Sequence, residues 1–326
     1  RCADGAGAQS AWALTYDWPM TIFASLDSFV SHPRTTRLTT KHGRTIATVA
    51  RISKKKDSYV SSLVDITDAV PRTLTRSVKG EGLMEIGERG EVYFTSGRDD
   101  DRDNADSNAL WMLPPAGEAR VVLRTPGPIS AVSAAGGKLL LTIGTFVDHC
   151  AEDAAKVAKQ RKERGVSAIL HEDFPVRFWD HDLGPTYPHL FVADAPELDD
   201  FSTSVPEKSD DDESALPESE VTLRPVDVPA GKLGNVSASW DGSRALVTMG
   251  RSVKMSTEQV SSVYEIELAT GEASEIAIAP REREDVADYT SYTSGPYSPD
   301  GSKALILVSA GNMDGDPLRS WVELWD

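Results

Sequence analysis

A turn followed by a β-rich run recurs five times along this chain, and a repeat of that length constrains the fold more than any single motif does. The turns lie at His42-Gly43-Arg44, Arg89-Gly90-Glu91, Gly136-Gly137-Lys138, Trp240-Asp241-Gly242-Ser243 and Ser298-Pro299-Asp300-Gly301. Each opens a run such as Thr45-Ile46-Ala47, Val92-Tyr93-Phe94 or Leu139-Leu140-Leu141. From Gly43 through Gly90, Gly137 and Gly242 to Gly301 the steps are 47, 47, 105 and 59 residues, so two steps match one propeller blade and two carry insertions. A second apolar run follows every turn, as in Leu110-Trp111-Met112-Leu113, Leu190-Phe191-Val192 and Trp321-Val322-Glu323-Leu324-Trp325. A shorter strand-like segment closes four of the five units.

This order predicts an all-β chain: a β-propeller of four-stranded meander blades, about five blade units, with one short helical insertion. The blades fall near 33–80, 81–127, 128–230, 231–281 and 282–326. Aspartate and glycine tolerate the positive φ that tight hairpins require. An antiparallel sandwich with regular hairpins is the alternative. The fifth unit reaches Asp326 after its third strand, which leaves the ring incomplete. Trp111, Trp240 and Trp321 are expected between blades.

Three segments interrupt the strands. Cys150–Arg164 places Ala151, Ala154, Ala155 and Ala158 on one face and reaches Gly165, which predicts a surface helix with a glycine cap. Its Lys156, Lys159, Arg161, Lys162 and Arg164 form a basic face that suits solvent or an anion. Asp194–Glu220 carries eleven acidic residues against one lysine and is too polar to pack. Arg98–Ser107 reads as a second loop; its aspartates resemble a calcium loop in composition but lack the Asp-x-Asp-x-Asp-Gly and distal Glu order.

Net charge is −17, and 13 of those 17 charges lie in Asp194–Glu220 and Arg98–Asp106. That balance argues against nucleic acid and anionic lipid as partners. The longest apolar stretch, Lys138–Val147, falls far short of the ~20 residues of a membrane span. Cys2 and Cys150 make neither a disulfide framework nor a CxxC metal motif, so a reducing, cytoplasmic compartment is expected. Arg1–Pro19 has no secretory signature and reads as a non-native or upstream extension, with Met20 as the expected initiator and 20–32 as an amphipathic start.

No Gly-x-Ser-x-Gly elbow, P-loop, dinucleotide fingerprint or His-Glu-x-x-His motif occurs. The densest cluster of reactive side chains is His171-Glu172-Asp173-Phe174-Pro175-Val176-Arg177-Phe178-Trp179-Asp180-His181. It joins the helix to a strand, where functional loops tend to sit. Read structurally, it is a crossover with Trp179 in the core, Arg177 paired to a carboxylate and Asp180 capping a turn. Read chemically, His171, Asp180 and His181 are candidate metal ligands, although their spacing fixes no geometry. No cofactor is expected.

That same segment, from Val166-Ser167-Ala168-Ile169-Leu170-His171-Glu172 through Pro175-Val176-Arg177-Phe178-Trp179-Asp180-His181 to Pro188-His189-Leu190-Phe191, resembles the propeller of actinobacterial serine peptidases of the prolyl oligopeptidase family, in the acylaminoacyl-peptidase-like branch. Leu26-Asp27-Ser28-Phe29-Val30, Thr73-Leu74-Thr75-Arg76-Ser77 and Ala109-Leu110-Trp111-Met112-Leu113-Pro114 extend the likeness over roughly 21–326. Ser298-Pro299-Asp300-Gly301 is the family's recurrent hairpin, and Lys41-His42-Gly43 departs from it in the first blade. The resemblance implies a seven-bladed ring covering a C-terminal α/β-hydrolase domain, absent from this chain together with its Ser-Asp-His triad. It implies that the propeller gates short peptides toward that active site, excluding folded proteins and water. Glu172, Arg177, Trp179 and Asp180 become the substrate-vestibule candidates, with no catalytic residue and no metal in the chain itself. The partners implied are short peptides and the hydrolase domain; homo-oligomerisation is left open. A stand-alone propeller that binds a partner without catalysis is the alternative function.

Overall fold

A computed structural model describes residues 25–98, 108–146, 151–169, 171, 176–178, 181–182, 184–198, 221–252, 259–279, 288–312, 317 and 319–326. A single helical turn, α1 (Leu26–Ser31), is capped by Ser25, whose hydroxyl accepts from the Ser28 amide at 3.1 Å. It leads into the first blade.

Blade 1 comprises β1 (Arg34–Lys41), β2 (Arg44–Ile52), β3 (Tyr59–Asp65) and β4 (Arg72–Thr73), hydrogen-bonded in that order. Blade 2 repeats the meander with β5 (Glu81–Ile86), β6 (Val92–Ser96), β7 (Asn108–Leu113) and β8 (Arg120–Thr125). Blade 3 begins with β9 (Ile129–Ala135) and β10 (Lys138–Thr145). The chain then makes α2 (Ala151–Glu163) and the two-stranded hairpin β11 (Arg177–Phe178) with β12 (His181–Asp182). It returns as β13 (Tyr187–Asp194) beside β10 and β14 (Arg224–Pro225) at the edge. Blade 4 is β15 (Lys232–Ala238), β16 (Arg244–Ser252), β17 (Gln259–Glu267) and β18 (Ala273–Ala277), and blade 5 is the three-stranded β19 (Asp288–Tyr297), β20 (Ala304–Asn312) and β21 (Arg319–Trp325). First strands of neighbouring blades touch in series, β1 with β5, β5 with β9, β9 with β15 and β15 with β19, so they are the innermost strands around one axis.

The core is laid down in slices between blades. Ile46 and Leu63 meet Ile86, Val92, Phe94 and Trp111; Tyr93 and Met112 meet Leu139, Leu141 and Ile143; Leu140 and Leu190 meet Val247 and Ile266; Leu246 and Val263 meet Ile306 and Val308. A blade buries both faces, which is why Leu139-Leu140-Leu141 is continuously apolar: Leu139 and Leu141 face blade 2 and Leu140 faces blade 4.

The recurrent turns fall into two geometries. His42-Gly43 and Gly136-Gly137 are two-residue loops with positive φ at both positions, the type I′ hairpin whose twist matches that of its strands. The other three are longer and carry a carboxylate inside the turn. Asp300 accepts from the Ser302 amide at 3.1 Å and from the Ser298 and Ser302 hydroxyls at 2.5 and 2.9 Å, and Asp241 repeats the set with Ser239 and Ser243. Those hydrogen bonds, led by the Ser239 and Ser298 hydroxyls, lower each carboxyl to about 2.

The expected helix cap is present. Gly165 has φ +62°, its amide donates to the Lys162 carbonyl and Val166 reaches back to Arg161 at 2.9 Å. One core expectation is corrected. Trp111 is buried at 4% exposure and Trp240 is half-buried, but Trp321 is 43% exposed. Trp321 sits on β21, third from the axis, with no described strand outside it, and its indole N–H turns to Glu323 at 2.7 Å. On the opposite face of that sheet the paired residues Leu305 and Leu324, and Leu307 and Val322, are all exposed.

Candidate functional site

Antiparallel order gives the propeller two unlike ends. Hairpins joining the first and second strands of each blade lie at one end, here the turn end. Links between blades and connections from second to third strand lie at the other, the loop end. The connection from β10 to β13, which carries α2 and the β11–β12 hairpin, therefore leaves the sheet at the loop end.

Of the four vestibule candidates, the structure describes Arg177. It is exposed on β11, opposite Asp182 in register. Glu172, Trp179 and Asp180 lie outside the described residues. His171 is half-buried near Gly184, with its Cε1 4.0 Å from where a side chain on that glycine would begin. Among the described residues no three His, Cys, Asp or Glu groups converge on a metal position. Asp180, in the alternative metal set with His171 and His181, is outside them, as is 99–107 of the calcium-like loop. On α2, Arg161 is committed internally: it donates to the Ala168 carbonyl at 2.7 Å and lies 5.8 Å from the Phe146 ring centre. Lys156, Lys159 and Arg164 remain exposed.

At the loop end of blade 2, Glu81 opens the innermost strand with a fully buried side chain. Its Oε1 is paired with Arg98, whose guanidinium stacks 5.1 Å from the Phe94 ring centre and 4.9 Å from that of Trp111. The Trp111 indole N–H donates to the Ser96 carbonyl at 3.1 Å, which locks the ring beneath the pair. Arg98 heads the 98–107 segment, and no motif in the sequence marks Glu81 as its partner.

The turn end carries a second cluster. Lys41, the last residue of β1, is mostly buried and donates to the Ala134 carbonyl of blade 3 at 2.6 Å. The same ammonium lies 3.6 Å from Glu85 of blade 2 and 5.7 Å from the Trp240 ring centre of blade 4. His42 meets Trp240 edge-on at 5.2 Å. Glu88 of blade 2 accepts from the Gly136 amide of blade 3 at 2.5 Å. Burial, then Lys41, pushes the His42 imidazole below its ordinary value, and burial pushes the Glu85 carboxyl up against the pull of Lys41. The signal in the sequence was the departure at Lys41-His42-Gly43, where a cation and an imidazole replace the usual hairpin.

Also at the turn end, a cleft of about 430 Å³ between blades 1 and 2 is lined by Arg44, Asp65, Asp68, Arg72 and Arg89. Arg44 and Asp65 pair at 2.7 Å across it, so its charge is mixed. Arg89 and Arg120 instead hold the start of the acidic segment, donating to the Pro196 and Leu198 carbonyls at 2.8 and 3.3 Å.

No model of a protein family matches the chain and no curated protein matches it. Among solved structures, Pyrococcus horikoshii acylaminoacyl peptidase is similar over 91% of this chain at 12% identity, with a TM-score of 0.54. An acylaminoacyl peptidase in complex with Z-Gly-Gly-Phe-chloromethyl ketone is similar over 92% at 12% identity, with a TM-score of 0.53. This chain spans 39% of the length of each. At that identity the likeness is one of fold. No described helix is long and apolar enough to cross a membrane.

Proposed function

We propose that this chain is the N-terminal propeller of a cytoplasmic serine peptidase of the prolyl oligopeptidase family, of acylaminoacyl-peptidase type, and that it gates short peptides toward a downstream α/β-hydrolase active site. The observation that carries the reading is the fold likeness over nine-tenths of the chain to acylaminoacyl peptidases that are much longer than it. The resemblance of the Pro175-Val176-Arg177-Phe178-Trp179-Asp180 segment to that family supports the reading from the sequence. A propeller in this position selects by size and keeps water from the reacting carbonyl, while nucleophile, base and oxyanion donors belong to the other domain. The exposed Leu305, Leu307, Val322 and Leu324 face is then the seat of the next blade in a seven-bladed ring. Glu172, Arg177, Trp179 and Asp180, on the loop-end insertion, are assigned to the vestibule that meets the peptide N-terminus.

The test is expression of this chain alone and joined to the polypeptide that follows it in its gene. The joined protein is expected to react with a fluorophosphonate serine probe and to hydrolyse N-acylated short peptides, and the chain alone to do neither. Arg177→Ala in the joined protein should raise KM about 10-fold with little change in kcat, as expected for a group that binds ground state and transition state alike. A joined protein without a reactive serine refutes the reading and favours a stand-alone binding propeller.

A further inference from the structure

We infer that the propeller axis is blind at its turn end, closed by a plug formed by Lys41 and Trp240, so that any peptide in the axis arrives and leaves through the loop end. Lys41 ends the innermost strand of blade 1, yet its ammonium contacts Glu85 and Ala134 on the innermost strands of blades 2 and 3 and the Trp240 ring in the first turn of blade 4. A group that touches the inner ends of four successive blades, two of them not adjacent to its own, lies on the axis itself.

Several contacts thicken the plug. His42 packs its edge on Trp240, Glu88 ties the blade 2 turn to Gly136, and the turns of blades 3 and 4 press backbone to backbone. A side chain on Gly136 would begin 1.8 Å from the Asp241 carbonyl oxygen, and one on Gly242 would begin 2.4 Å from that of Ala135. The plug is rigid as well as occupied. Lys41 and Glu85 keep only 14% and 13% of their side-chain surface exposed, and a buried pair that also hydrogen-bonds to backbone resists the water and side-chain motion that would open a pore. At the other end of the same strand set stands the Glu81–Arg98 pair. The described contacts therefore close the axis at its turn end.

This rests on the peptidase reading, and its test separates the two. In the joined enzyme, peptides of increasing length with one common scissile bond are compared for wild type, Lys41→Met, Trp240→Leu and the conservative Lys41→Arg, each checked for a cooperative melt. Opening the plug is expected to raise kcat/KM for the longest peptides at least ~10-fold in either Lys41→Met or Trp240→Leu, with the shortest substrate unchanged within about twofold and Lys41→Arg like wild type. Folded variants whose length limit equals that of wild type overturn the plug while leaving the peptidase reading intact. An unaltered enzyme that cleaves no peptide of any length overturns both. Trp240→Leu retains apolar bulk in the turn and supplies the comparison if loss of the buried Lys41 charge prevents folding.

Discussion

Trp111→Ala is the sharpest test of how the blades cohere. The indole is buried at 4% exposure between blades 1 and 2, against Ile46, Leu63, Ile86, Val92 and Phe94. A buried tryptophan removes ~150–250 Å² from water, worth roughly 4–6 kcal/mol at ~25 cal/mol per Å². Alanine keeps about 1 kcal/mol of that, and loss of the N–H bond to Ser96 costs about 1 kcal/mol more. Partial collapse of the cavity offsets some of the total, so the expected destabilisation is ~3–5 kcal/mol. Thermal unfolding followed by far-ultraviolet circular dichroism should show a midpoint lowered by roughly 6–20 °C, at ~2–4 °C per kcal/mol for domains somewhat smaller than this one. Trp321→Ala is the internal control: at 43% exposure on an edge strand it should cost at most about half as much. Equal shifts in the two variants, or a Trp111→Ala shift under about 2 °C, would refute the interblade core as drawn.

Gly136→Ala should destabilise by about 3 kcal/mol or more in urea titration, because the added carbon meets the Asp241 carbonyl at 1.8 Å and φ is +57°. Gly43→Ala, at φ +74° with nothing within 4 Å, should show only the conformational cost of about 1–2 kcal/mol. The turn carboxylates predict acid sensitivity: Asp241 and Asp300 sit at about 2 when folded and near 3.8 when not, so their contribution is complete above pH 4 and lost as pH falls from 4 toward 2. Melts of Asp241→Asn/Asp300→Asn should be less stable at pH 7 and flatter across that window; an unchanged slope counts against the turn assignment.

The fold was legible because a propeller repeats its instructions. Each blade writes a turn with glycine at positive φ and then an apolar run, and the run is apolar on both faces because every inner blade is covered twice, as Leu139, Leu140 and Leu141 record. Short-range signals of this kind survive translation into structure. The α2 cap at Gly165 is another, since the Schellman bonds involve only residues 161–166. Trp321 differs for the complementary reason: its run matches that of Trp111 in composition, but burial depends on what lies outside the sheet, and β21 is the outermost described strand of blade 5.

The plug was illegible for a physical reason as well. Lys41, Glu85, Ala134 and Trp240 are separated by 44, 49 and 106 residues, and no periodicity joins a cation, a carboxylate, a carbonyl and an indole. What joins them is closure: strands that each end in a hairpin at the axis bring their ends together whatever their side chains are. Composition then decides whether that meeting point is a pore or a stopper. A small polar turn in blade 1, of the Ser-Pro-Asp-Gly kind found in blade 5, carries no long cation, whereas the Lys41 ammonium reaches the Trp240 ring, Glu85 and the Ala134 carbonyl at once. The replacement that looked like a defect in the repeat is thus the residue that sets the character of the axis. The same logic ranks the substitutions there: Lys41→Arg keeps stem and charge, Lys41→Met keeps the stem and strands Glu85, and only the second should change what the axis admits.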